Sequence, residues 1–173
     1  MDAIELREAQ RPLKQRYKAD PATALVPASA EARIDVAGQS CRIVTPAGGI
    51  DAGLHAAAGG SGEMACSADL LLQALAACAG VTFAAVATAR SIVVRSATVH
   101  VEGHWDARGT LGVDRETPVG MTDIELRFVV DTDADDETLE RIIAVTEDYC
   151  VIAQTLIEPP RIGFSFGRAT TSG

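Results

Sequence analysis

Ser67-Ala68-Asp69-Leu70-Leu71-Leu72-Gln73-Ala74-Leu75-Ala76-Ala77-Cys78-Ala79-Gly80-Val81-Thr82 opens a stretch that runs without a charge from Leu70 to Ala89, ending at Arg90. It reads as one long helix. Ser67 is a good N-cap, and Asp69 places a negative charge in the first turn, where unpaired backbone N–H groups favour it. The apolar residues follow no single stripe but run round the whole cylinder, which predicts a helix buried on every side with Cys78 near its middle. The stretch is also long enough to span a bilayer. Its commonest residue, however, is Ala, which contributes little transfer energy, and Gln73, Thr82 and Thr88 interrupt it. No second span and no Trp/Tyr belt accompany it. A core helix is therefore expected. Its small residues allow a second helix, from this chain or another subunit, to approach closely.

Working outward, 173 residues suffice for one sizeable core or for a protomer that completes its core by dimerising. Aliphatic residues supply most of the 47% hydrophobic content, since aromatic residues are only 4%. The net charge is −9, from 24 acidic and 15 basic residues, with no basic cluster. That balance excludes nucleic acid and anionic membranes as natural partners. The N-terminus, Met1-Asp2-Ala3-Ile4-Glu5-Leu6-Arg7-Glu8, lacks the apolar run of a secretory signal, so a cytoplasmic protein is expected. Its four cysteines, Cys41, Cys66, Cys78 and Cys150, are then expected as thiols, pointing to packing, redox chemistry or metal binding.

Residues 1–23 read as an N-terminal arm, a weakly amphipathic helical segment interrupted by Pro12 and closed by the Asp20-Pro21 turn; 24–173 reads as a single domain. Short strands are expected at Ala24-Leu25-Val26 and in a hairpin of Arg33–Val36 with Cys41–Val44 about a Gly38-Gln39 turn. Pro46 to Gly62 is glycine-rich and reads as a loop; it matches neither phosphate-binding glycine pattern. Beyond the long helix, alternation at Ala97, Val99, Val101 and at Ile124, Leu126, Phe128, Val130 predicts two strands paired antiparallel. Asp131 to Glu137 masses acids at a helix start. Leu139, Ile142, Ile143, Thr146, Tyr149 and Cys150 then mark an apolar face that ends on Cys150. A short helical piece over Val151–Leu156 and a closing strand over Arg161–Phe166 complete an α+β order.

Cys78 and Cys150, 72 residues apart, both fall on the apolar side of a predicted helix. Spacing alone favours packing, since free cysteine is among the most buried residue types. His100, Glu102 and His104 share one strand face and could form a metal site, though alternating polar residues usually just face water, and no metal is expected. Cys66 precedes Cys78 by over three helical turns, about 18 Å along an axis, too far to bridge.

The motifs shift that weighting. Ala68 to Gly80 resembles the Pro-x-Glu-Leu-Leu-Leu-Ala-Ala-Leu-Ala-x-Cys signature of the OsmC/Ohr family, the osmotically inducible and organic-hydroperoxide-resistance proteins. Cys150-Val151-Ile152-Ala153-Gln154-Thr155-Leu156, followed by Pro159-Pro160, is similar to the family's second cysteine motif. The resemblance covers roughly Ala24 to Phe166 and implies antiparallel sheets packed on long central helices in an entwined homodimer. It implies reduction of organic hydroperoxides at the subunit interface, with Cys78 as the attacking thiolate and Cys150 as the resolving thiol. An external dithiol reductant restores both, and no bound cofactor is needed. The family also implies an acid nine residues before the first Cys, here Asp69, and an activating Arg from the N-terminal part of the chain, for which Arg16 and Arg33 are both candidates. The Glu that peroxidatic members carry ten residues before that Cys is Ala68 here. This departure favours the alternative, a non-catalytic dimer of the same fold that binds a small hydrophobic or thiol-reactive ligand. Paired cysteines favour the enzyme.

Overall fold

The computed structural model describes residues 1–46 and 48–168. Helix α1, Ala3–Ala19, is opened by a capping box in which Asp2 accepts from the backbone of Ile4 and Glu5 while the Glu5 side chain accepts from Asp2. Pro12 lies inside α1 without ending it, contrary to the expected interruption. A three-stranded antiparallel sheet follows, ordered β1 (Glu31–Asp35), β2 (Ser40–Thr45), β3 (Gly48–Gly53). The β1–β2 hairpin is as read. Its left-handed residue is Gln39 (φ 45°), and a Cβ at Gly38 would fall 2.5 Å from the carboxylate of the exposed Asp35 side chain, which would have to swing aside. Two expectations fail nearby. Ala24 ends a 3-10 turn from Pro21, and Leu25-Val26 forms no strand. The glycine-rich stretch is not all loop, because Gly48–Gly53 pairs with β2 through backbone groups that need no side chain.

The long helix α2 spans Ser67–Ala89. Its N-cap is Cys66, without a side-chain capping bond, and Ser67 is the first helical residue, one position inside the expected boundary. Beyond α2 come β4 (Val94–His104), the single turn α3 (Ala107–Thr110), β5 (Asp123–Thr132), α4 (Asp136–Tyr149, capped by Asp135) and α5 (Val151–Ile157). Strands β4 and β5 form a two-stranded antiparallel ladder from His104–Asp123 to Val94–Thr132. Its inner face packs on α2, which also meets α4, α5 and α1. The fold is α+β, with helices laid on antiparallel sheets.

Helix α2 is buried along one ridge only: Leu75, Ala79, Phe83 and Ala87, four residues apart. Around Leu75 and Ala79 lie Cys150, Val99, Leu126 and Phe128. Phe83 and Ala87 pack on Ile142, and the Phe83 ring stacks on Phe128 at 5.2 Å. Cys78 and Val86 are partly buried against the same clusters, whereas Leu71, Ala74, Ala77, Val81 and Ala84 are exposed in the single chain, Val81 at 73%. Burial on every side is therefore not met by the single chain, because apolarity all round specifies that partners exist without saying where they come from. Arg161–Phe166 forms no strand either. Ile162, Phe164 and Phe166 are 75%, 96% and 91% exposed, since alternation supplies one face and a strand also needs a ladder neighbour.

Ile142 is fully enclosed (0% exposed) at the seam of α2, α4 and the sheet. Ile142→Ala removes three carbons from a site closed on all sides, and a loss of about 3 kcal/mol is expected in denaturant unfolding of the folded protein.

Candidate active site

The site forms where α4 ends. Cys150 is the single extended residue (φ −77°, ψ 104°) between α4 and α5, serving as C-cap of one helix and N-cap of the other. Its N–H donates to the Glu147 carbonyl at 3.3 Å, and its carbonyl accepts from the Gln154 N–H at 2.9 Å. The Gln154 side chain donates to the same Glu147 carbonyl at 3.0 Å, clamping the corner. One extended residue thus turns the chain so that the Cys150 side chain enters the core, 1% exposed, against Leu75 and Ala79. It also aims the start of α5 at α2. Cys78, half-buried on α2, packs against this cluster.

The two thiols differ in their surroundings. Burial pushes the Cys78 thiol up, but the N–H groups of Ile152 and Val151, the Cys150 thiol and the Thr82 hydroxyl together outweigh it and hold Cys78 below the ordinary thiol range. The amides are first-turn donors of α5, which have no intrahelical acceptor and so remain available to a thiolate. Cys150 shifts the other way. Burial is the main cause, the neighbouring Cys78 adds to it, and the Ala153 and Ile152 amides offset only part. Sequence reading missed Thr82 and the α5 amides. The signal for Thr82 was its position four residues after Cys78, one turn along the same helix face. The amides carry no signal in residue identity, because backbone position alone confers their role.

Asp69 is exposed in the first turn of α2, nine residues and about 13 Å of helix axis before Cys78. Arg16 lies over its own neighbour Tyr17 on α1, 5.1 Å from the ring centroid. Arg33, on β1, pairs with Glu31 at 3.7 Å. Among the described residues, the groups acting on the Cys78 sulfur include no arginine and no carboxylate. His100, Glu102 and His104 share the outer face of β4, where His104 contacts the Asp123 carboxylate at 3.0 Å; no set of three metal-ligating side chains converges among the described residues. All four cysteines are free.

A cavity of about 390 Å³ lies against Cys150, walled also by Leu75, Ile124, Leu126, Phe128 and Ile143; Cys78 is not among its lining residues. Thr146 turns its hydroxyl away, donating to the Ile142 carbonyl at 2.8 Å, and Glu147 is the one charged lining residue among the described residues. The arrangement is a thiol pair with opposed proton affinities, of which Cys150 borders an apolar cavity.

The OsmC family model, described as OsmC-like protein, matches residues 60–165. The chain belongs to the OsmC-like family. Both cysteines, α2 and the β4–β5 ladder fall within the matched region. Solved structures similar to this OsmC-like chain include an OsmC-like protein from Mycoplasma pneumoniae, 16% identical, with a TM-score of 0.65 over 78% of this chain and 89% of that one. An organic hydroperoxide resistance protein OsmC from Legionella pneumophila is 19% identical, with a TM-score of 0.60 over 76% and 90%. An organic hydroperoxide resistance protein from Elizabethkingia anophelis is 16% identical, with a TM-score of 0.61 over 76% and 88%. At these identities the likeness is one of fold. Comparison with curated proteins found no match. Helix α2 is long and apolar enough to cross a membrane by length and composition; in this chain its Leu75–Ala79–Phe83–Ala87 ridge is buried in the core.

The thiol asymmetry is directly measurable. Because the thiolate is the form that is alkylated, Cys78 is expected to react with iodoacetamide from a pH below the ordinary thiol range, and Cys150 only above it. Thr82→Val removes one donor to the Cys78 thiolate; the alkylation midpoint is expected to move up and the rate at neutral pH to fall roughly threefold to tenfold.

Proposed function

We propose that this OsmC-like protein reduces organic hydroperoxides through Cys78 and Cys150. The carrying observation is that two thiols 72 residues apart are packed together with their pKa values displaced in opposite directions, Cys78 down and Cys150 up. The Cys78 thiolate attacks the distal peroxide oxygen; the O–O bond breaks, alcohol leaves with a proton, and Cys78 becomes a sulfenic acid. The Cys150 thiol then attacks that sulfur, water leaves, and a disulfide forms. An external dithiol returns both thiols, and no cofactor takes part. The apolar cavity favours alkyl or aryl peroxides over hydrogen peroxide, since their hydrocarbon part gains by burial.

The working unit in this reading is a cytoplasmic homodimer. A chain of 18.1 kDa exposes 13243 Å², whereas a compact monomer of that mass exposes roughly 8,100 Å² by the usual size scaling. The excess and the bare apolar surface of α2 support a subunit that completes its core on a second copy. Such a partner is also the remaining source of a cation for Cys78.

One equivalent of cumene hydroperoxide added to the reduced protein is expected to lower the free thiols from four to two per chain, with a mass loss of two hydrogens. Four unchanged thiols would favour the second reading, a non-catalytic dimer that binds a small hydrophobic or thiol-reactive ligand. Two observations support that rival: Ala68 where peroxidatic relatives carry Glu, and the lack of an arginine among the groups acting on Cys78.

A further inference from the structure

We propose that the dithiol which regenerates the oxidised protein attacks the Cys78 sulfur and expels Cys150, so that reducing equivalents enter through Cys78 alone. The inference rests on the two-cysteine reading above and adds to it the point of attack. Exchange at a disulfide requires the incoming thiolate to approach one sulfur from the side opposite the S–S bond. The two sulfurs offer unequal access. Cys150 is 1% exposed, set in the core with Leu75 and Ala79 and fixed by the Glu147–Gln154 clamp at the α4–α5 corner. Cys78 packs against the same cluster but is partly exposed in the single chain.

Leaving-group chemistry pulls the other way. Cys78 is the more acidic thiol, so attack at Cys150 would release the better leaving group. Magnitudes decide between them. With a Brønsted coefficient of about 0.5, a difference in thiol pKa enters an exchange rate at only about half its size. A sulfur under core side chains can be reached only after local opening, which reduces the reactive fraction on the order of a hundredfold or more. Access therefore prevails.

The steps balance. The first reductant thiolate forms a bond to Cys78 while the Cys78–Cys150 bond breaks, and Cys150 leaves with the electron pair and takes a proton. The second thiolate of the reductant then attacks its own bound sulfur and leaves as a disulfide. Cys78 returns as a thiolate beside the Val151 and Ile152 N–H groups. The reductant loses two hydrogens and the protein gains two thiols.

The test uses the full chain carrying Cys41→Ser and Cys66→Ser, so that only the pair remains. The bond is closed with diamide, which separates the experiment from peroxide reactivity. Brief treatment with 2-mercaptoethanol, an acid quench and tryptic mapping then locate the mixed disulfide, since residues 43–90 hold Cys78 and residues 142–161 hold Cys150. The adduct is expected on the 43–90 peptide in at least tenfold excess. An adduct mainly on 142–161 overturns this route while leaving the two-cysteine reading standing. Failure of diamide to join the two thiols overturns both.

Discussion

Cys78→Ser is expected to abolish peroxide-dependent thiol oxidation, and Cys150→Ser to stop it halfway, with a sulfenic acid on Cys78 that a dimedone probe captures. The two outcomes differ because the thiols are not equivalent. Cys78 is the more acidic and the more exposed, so in the proposed cycle it supplies the nucleophile; Cys150 is 1% exposed and its thiol is pushed up by burial, so it is not expected to substitute. Loss of a catalytic nucleophile lowers turnover by roughly three orders of magnitude or more. Cys150→Ser keeps the first chemical step and loses only the condensation, so one oxygen atom is retained by the protein in place of the loss of two hydrogens. Stopped-flow peroxide consumption with intact mass spectrometry checks both. Equal loss in the two variants, with no trapped sulfenic acid, would refute the assigned roles.

Val81→Glu is expected to have the largest effect on assembly. Val81 lies on the α2 surface opposite the Leu75–Ala79–Phe83–Ala87 ridge and is 73% exposed in the single chain. Leu71, Ala74, Ala77 and Ala84 accompany it as exposed apolar positions of the same helix. If a second α2 covers this surface, a carboxylate at residue 81 is buried without a partner, a cost of several kcal/mol, enough to shift the dissociation constant by three orders of magnitude or more. Light scattering should give twice 18.1 kDa for the wild type and a dissociated or unfolded species for the variant. A wild type that stays at 18.1 kDa across concentration would remove the homodimer from the functional reading. Val81→Leu, apolar and of similar size, should retain the wild-type mass.

How far the chain could be read in advance follows from how local each feature is. The existence and type of α2, α4, α5, β4 and β5 depend on periodicity and capping within a dozen residues, and these were legible. The alternation that predicted β4 and β5 is the pattern that a half-buried antiparallel pair requires. Strand β3 was missed because Gly48-Gly49 and Gly53 carry no side-chain pattern, although their backbones pair with β2. The strand expected at Arg161–Phe166 has its alternation, but pairing depends on a second edge lying alongside. Pro12 lies within α1 although the helix rule sets a break there, an instance of tertiary and capping context overriding a local preference.

The candidate site divides in the same way. Sequence by itself determined which residue types the two motifs carry, that both cysteines lie on apolar helix faces, and, through the motifs, the family to which the chain belongs. Only the tertiary structure decided that a single extended residue between α4 and α5 turns the Cys150 thiol onto Cys78. It alone showed that Thr82 and two backbone amides, in place of a nearby arginine within the chain, lower the Cys78 pKa. The physical reason is range. Helix periodicity and caps are set by neighbours within a turn or two, whereas the proton affinity of a thiol depends on every dipole and every atom of burial around its sulfur, which chain folding gathers from distant positions.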